Sequence, residues 1–433
     1  MTVVTSWTAI DDGETIEGGR DLLGTGAIAD QLAAEVAPNL RAGTTRARYY
    51  TMLAVGTHIA GGVAKASAER LRHLFRWERF WLVALFECQA SKHDTLPALR
   101  KALDTHERDI LGKGVGARSV RAYLEIRERG GDVNLDAFVP LEAPQTSGVY
   151  GRYAGSARDS GILAATGALA LDRAGDELVA HFEEQLGESK FMANAHGVLE
   201  SRRCDPRAKV CRDLADLSLR YPPKGRERAV LAEALVEREP RTLLAATVLR
   251  QVIGARADAQ PWATAIPRCA ITARKHGSDG EALADTLLAI AAYDDIRTAL
   301  EVLLHRLNDA LTGAWSASIA SFAAGASIKK AVEAIAGAAA AFLASPDVAA
   351  TRGLRALVSR STSIAARDAI ELVCAQHAEV CERRGIAPWF RVRANCLEML
   401  RRPSTSMSSG GLGRYRLNSL ESLIADLEWR VAS

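Results

Sequence analysis

The chain has 433 residues, 48% apolar and 25% charged, with 55 basic against 52 acidic side chains for a net charge of +3. This composition excludes a disordered or fibrous protein, and at roughly 100–200 residues per domain the length allows two or three domains with a sizeable core. Near-neutrality excludes a uniformly basic nucleic-acid binder, so any such contact must come from local clustering.

The first twelve residues carry neither a basic start nor an apolar run, which predicts no secretory leader. Seven scattered cysteines, an odd number, read as reduced thiols of a cytoplasmic protein. After an irregular start with Trp7, Ile10 and Gly18-Gly19, a helix through Ile28, Leu32 and Val36 ends before Pro38. From Thr44 the spacing is helical again, with Arg46, Tyr49, Tyr50 and Leu53 close together. Residues 67–89 form the clearest helix. Leu71, Leu74, Trp81 and Leu85 share one side, and Arg72, Arg76 and Arg79 recur at i, i+4 and i+7 nearly opposite. One face should pack and the other should present a ridge of three guanidinium groups.

After Pro97, a helix through Leu99, Leu103 and Ile110 reaches the loop Gly112-Lys113-Gly114-Val115-Gly116, and a further helix, 117–129, is stopped by Gly130-Gly131. A hairpin of Ile162-Leu163 and 168–171 precedes a helix capped by Asp172, an order that predicts a small winged-helix-like α/β module near 138–187. Beyond Gly187 the pattern is helical at 208–219, 227–237, 241–253, 280–291, 296–311, 327–343, 350–358, 364–383 and 389–400, with a short last element at 415–429. The most apolar stretch, 334–344, falls short of the ~20 residues of a membrane-spanning helix, so no membrane contact is expected. The fold class is mainly α and multi-helical. Its domains are a helical one at 1–135, the winged-helix-like module at 136–190 and a helical one at 191–433.

Arginine grips phosphate bidentately and tyrosine stacks on bases, so Arg41, Arg46, Arg48, Tyr49 and Tyr50 with Arg72, Arg76 and Arg79 would suit a nucleic-acid groove. The competing reading makes both tyrosines core aromatics and pairs the arginines with Glu69, Glu78 and Glu87. Lys113, Gly114, Gly116 and Arg118 offer a second site, because glycines before a helix release N–H groups toward an anion, as in helix-hairpin-helix proteins. A plain helix-to-helix turn is the alternative. Cys374, His377 and Cys381 share one helix face and could approach a soft metal, against the commoner reading of buried thiols; no cofactor is assigned. Arg100 and His106 are similar to the arginine–histidine pair of the helical prokaryotic RNases, which would activate a ribose hydroxyl. No nucleophile elbow or His-Glu-x-x-His helix stands in a matching context, which leans the reading away from an enzyme.

Three stretches carry a wider resemblance: Trp7-Thr8-Ala9-Ile10, Asp21 to Ile28, and Leu40-Arg41-Ala42-Gly43-Thr44-Thr45-Arg46-Ala47-Arg48-Tyr49-Tyr50. With the closing Tyr415-Arg416-Leu417-Asn418-Ser419-Leu420, the chain resembles a family of unknown function from bacterial antiphage defence islands. The resemblance implies a non-catalytic accessory subunit of an antiphage or DNA-processing system, contacting DNA or an operon-encoded helicase or nuclease through its N-terminal half. An effector nuclease using Arg100 and His106 and a pure assembly scaffold are the alternatives.

Overall fold

The computed structural model describes residues 23–24, 26–92, 98, 117–138, 148–166, 169–186, 190–218, 223–253, 262–311, 316–362, 364–400 and 416–429. The helices run α1 (Gly26–Val36), α2 (Arg48–Val63), α3 (Ser67–Ala90), α4 (Ala117–Arg129), α5 (Val149–Asp159), α6 (Arg173–Leu186), α7 (Phe191–Ser201), α8 (Lys209–Ser218), α9 (Gly225–Ala232) and α10 (Pro240–Ile253). They continue as α11 (Trp262–Ala273), α12 (Gly277–Ala310), α13 (Ile319–Ala324), α14 (Ala326–Ala344), α15 (Arg352–Val358), α16 (Ala366–Arg383) and α17 (Leu417–Asp426). Strand β1 (Val133–Asn134) pairs antiparallel with β2 (Arg203–Cys204). Strands β3 (Ser316–Ser318), β4 (Phe390–Arg393) and β5 (Cys396–Met399) form an antiparallel sheet in the order β3-β5-β4. The protein is mainly α, as its periodicity indicates.

Two compact units divide the chain: the first is Ala37–Ala246 with Asn418–Ser433, the second Met1–Val36 with Thr247–Leu417. This division differs from the three-segment reading. Residues on both sides of 135 and 190 share the first unit because β1 pairs with β2 across those positions.

In the first unit α2 is buried on nearly every side, consistent with its small and apolar sequence. Gly56 allows α3 to cross at close range, since a Cβ there would lie 2.2 Å from the Trp77 ring. The Trp77 indole donates to the Met52 carbonyl at 2.9 Å, satisfying a buried donor at that crossing. Tyr49 meets Trp81 and Tyr153 edge-on at 5.4 and 5.5 Å, and Tyr50 meets Tyr153 at 5.0 Å. Both tyrosines belong to the core.

The chain before α2 is tied down by one buried amide. Asn39 Nδ2 donates to Leu235 O at 3.1 Å and its Oδ1 accepts from Thr242 Oγ1 at 2.6 Å, while its carbonyl accepts from Ser156 Oγ at 2.7 Å. Residues Glu233–Glu237 form a π-helical turn after α9, and an inserted side chain of this kind satisfies carbonyls that the widened turn frees. The C-terminal segment closes on the same region. Ser419 Oγ donates to Arg41 O at 3.0 Å and accepts from Gly43 N at 3.2 Å, and Asp426 accepts from Ala47 N at 3.0 Å.

The expected hairpin at 162–171 is one antiparallel bridge, Leu163 to Leu171, extended by Asp172 N to Ile162 O at 3.1 Å. Asp172 stands at the start of α6 as expected, accepting from Arg173 N at 2.7 Å. Gly175 permits α6 to lie on this turn, because a Cβ there would be 2.2 Å from Ile162 O.

The second unit is built on α12, whose Leu283, Leu287, Ile290, Tyr293, Ile296, Leu303 and Leu307 are buried against α11, α14 and α1. Two helices were expected here, at 280–291 and 296–311. They are one, since no proline or glycine interrupts the apolar period between them. The expected helix at 389–400 is instead the β4–β5 hairpin. Phe390 and Val392 face Met399 and Leu397, and Ala394 and Asn395 turn the chain at φ of 47° and 62°. Positive φ at both central residues is the two-residue hairpin geometry that suits strand twist. Among the described residues no helix is long and apolar enough to cross a membrane.

Candidate nucleic-acid interface

The arginines expected to form one binding surface fall into two groups, and the first is consumed by packing. Arg41 pairs with Asp159 and donates to the carbonyls of Pro38 and Leu40 at 3.1 Å. Arg46 lies 3.8 Å from Asp426. Arg48 is 4% exposed and meets Glu227 at 2.8 Å, with Thr51 Oγ1 donating to the other carboxylate oxygen at 2.7 Å. Burial holds the Glu227 carboxyl above its ordinary value, while Arg48 favours its charged form. With Tyr49 buried as well, Arg48 and Tyr49 cannot face a groove; they are enclosed because α2 is the centre of its unit. Their carboxylate partners are Asp159, Asp426 and Glu227, and Glu87 instead receives Tyr123 and Arg127.

The second group lies on α3. The ridge expected at Arg72, Arg76 and Arg79 is not uniformly exposed: Arg72 is exposed, Arg79 half-buried and Arg76 buried. The turn after β1 covers the helix face that the periodicity leaves polar. Arg76 grips both Asp136 oxygens, Nε to Oδ1 at 2.7 Å and Nη2 to Oδ2 at 2.9 Å. Arg79 Nη1 donates to Leu135 O at 2.7 Å. Asn134 Oδ1 shapes this turn by accepting from Asp136 N at 3.0 Å. The Arg76 fork holds the Asp136 carboxyl below the usual carboxylate range.

A third element completes the surface. Arg202 Nε lies 3.7 Å from Asp136 Oδ2, and Arg203 stands opposite Asn134 in the β1–β2 register. Arg202 holds φ at 60°, at the end of α7, where glycine is the usual occupant because it escapes the Cβ penalty. Burial, and then the charge of Arg76 with smaller contributions from Arg202 and Arg72, lowers the His73 imidazole pKa against the opposing pull of Glu69. Among the described residues no carboxylate pairs with Arg72, Arg203, Arg207 or Arg212. All four are exposed, and Arg203 to Arg212 carry Lys209 between them.

No protein-family model, curated protein or solved structure matches the chain.

Five basic residues within 202–212 are a charge-clustering signal in the sequence that points to this surface. Lys113, Gly114 and Gly116 lie outside the described residues, as do Arg100 and His106; Arg118 lies on α4, its side chain outside the description. Cys374, His377 and Cys381 all lie buried on α16, where His377 and Cys381 serve packing. His377 Nε2 accepts from Trp389 N at 3.1 Å and lies 3.6 Å from the Cys381 sulfur, and its ring stacks edge-on against Trp389 at 5.2 Å. Among the described residues no group of three or more His, Cys, Asp or Glu side chains could hold a metal ion.

Proposed function

We propose that the protein is a helical accessory subunit of a prokaryotic antiphage defence or DNA-processing system, contacting duplex DNA through Arg72, Arg202 and Arg203. The observation that carries this reading is the convergence of α3, the β1 turn and the α7–β2 junction. It sets Arg202, in a strained backbone position, and the unpaired Arg72 and Arg203 around the Arg76–Asp136 fork. Arg76 and Arg79 anchor the surface, and the exposed guanidinium groups supply the contacts to phosphate. Phosphate contact positions a protein on DNA without reading sequence, so this surface gives binding that is sequence-tolerant and salt-dependent. The resemblance of the opening and closing segments supports a place beside a partner helicase or nuclease, with a winged-helix-like contact near 138–187 as its finer expectation.

Fluorescence anisotropy of a labelled 30-base-pair duplex, titrated with the full chain at several salt concentrations, tests the contact. Binding that weakens steeply with salt is the expected result, and no saturable binding at low salt would overturn it.

A further inference from the structure

The β2–α8 junction holds a pair of thiols that none of these roles uses. Cys204 on β2 and Cys211 in the first turn of α8 place their sulfurs 3.2 Å apart, and both residues are fully buried. Cys211 Sγ also donates to Asp205 O at 3.2 Å, which orients that thiol back along the turn that joins the two residues. The turn itself is fixed by Ala208 N to Asp205 O at 3.1 Å and Arg207 N to Asp205 Oδ1 at 2.9 Å. His196, the nearest imidazole in sequence, lies against Gly62 on α2.

The other cysteines offer no such pair among the described residues. Cys374 and Cys381 are separated along α16, and the Cys381 sulfur is occupied by His377. Cys88 and Cys396, the two that are not fully buried, lie in different compact units.

We infer that Cys204 and Cys211 are a redox-modification site, closing to an intrachain disulfide with a low-molecular-weight disulfide as oxidant. One cysteine thiolate attacks a sulfur of the small disulfide and expels one small thiol. The second cysteine then attacks the mixed disulfide, forming the Cys204–Cys211 bond and releasing the second small thiol. Two electrons pass to the oxidant, and the two cysteine protons end on the released thiols.

The hydrogen bond with Cys211 and burial push the Cys204 thiol up, so the closed pair reacts slowly at neutral pH. Access comes through opening of the ribbon, since β1 and β2 are two residues each and β2 is joined to α7 by the strained Arg202. Once formed, the bond is shielded from reductant by the same burial and staples the segment that carries Arg203 and Arg207.

The test is peptide mapping of the folded full-length chain after incubation with oxidised glutathione, without reduction. Trypsin cuts after Arg203, Arg207, Lys209 and Arg212, so Cys204–Arg207 and Val210–Arg212 remain together only through a disulfide. The expected result is this linked peptide, two hydrogens lighter than the sum of its parts, lost with dithiothreitol and accompanied by a melting temperature about 5 °C higher. Glutathione captured at Cys88 and Cys396, with both Cys204 and Cys211 peptides recovered unlinked, would overturn the inference. No nucleic acid enters this experiment, so the DNA contact and the redox site can fail separately.

Discussion

The segment from Leu40 to Tyr50 and the surface around Arg72, Arg202 and Arg203 are both rich in arginine, yet they use it oppositely. In the first, each guanidinium meets a carboxylate from a distant part of the chain, Asp159, Glu227 or Asp426, and the backbone is clasped by Ser419. In the second, one carboxylate, Asp136, organises Arg76 and Arg202 while Arg72 and Arg203 have no carboxylate partner among the described residues. Arginine density alone does not decide whether guanidinium groups stay free; the supply of acids from elsewhere in the fold does. Leu40 to Tyr50 is joined directly to Ser419 through Arg41 and Gly43, a structural clasp within the first unit.

Replacing Arg48 by Met is the harshest way to break this comparison. Glu227 would be left buried with Thr51 as its side-chain partner, and breaking such a pair costs about 3–5 kcal/mol. Denaturant unfolding should register that loss; a change below 1 kcal/mol would mean that Arg48 is not structural. Asn39→Ala strands the Leu235 carbonyl and Thr242 hydroxyl, and about 2–3 kcal/mol should be lost in the same assay. Arg76→Ala should cost about 1–2 kcal/mol, less because Asp136 is partly exposed and can rehydrate.

Acid–base titration separates the inner and outer charges of α3. Burial pushes Glu78 from its ordinary 4.5 up to about 8, partly offset by the hydrogen bond from Tyr150 N at 2.6 Å. The folded state therefore holds a proton that the unfolded state has released between those values, and this group makes stability decline as pH rises from about 4.5 to about 8. Glu78→Gln should flatten that decline in urea midpoints measured across the window; an unchanged slope would assign it to other groups.

The sequence made α3 legible as a helix because its apolar residues recur without interruption from Leu71 to Leu85. It could not show that Leu135 and Asp136 would cover the opposite face, since a periodic pattern carries no information about a distant turn. Arg202 and Arg203 were hidden for the same reason: their place beside α3 depends on a two-residue ribbon, β1 with β2, too short to leave an alternating pattern. The β4–β5 hairpin was missed because its turn is Ala394-Asn395, without the glycine that usually signals one. Tyr49, Tyr50 and the buried triplet on α16 were readable as core residues, and the structure puts them there.

The most direct measurement of the central claim compares wild type with the Arg72→Glu/Arg203→Glu double variant in the duplex-DNA anisotropy titration. Both positions are exposed, so thermal unfolding should coincide for the two proteins. The account predicts affinity lower by at least tenfold at low salt and a log–log salt dependence shallower by about 2. Equal affinity and equal salt dependence in a variant that remains folded would contradict it.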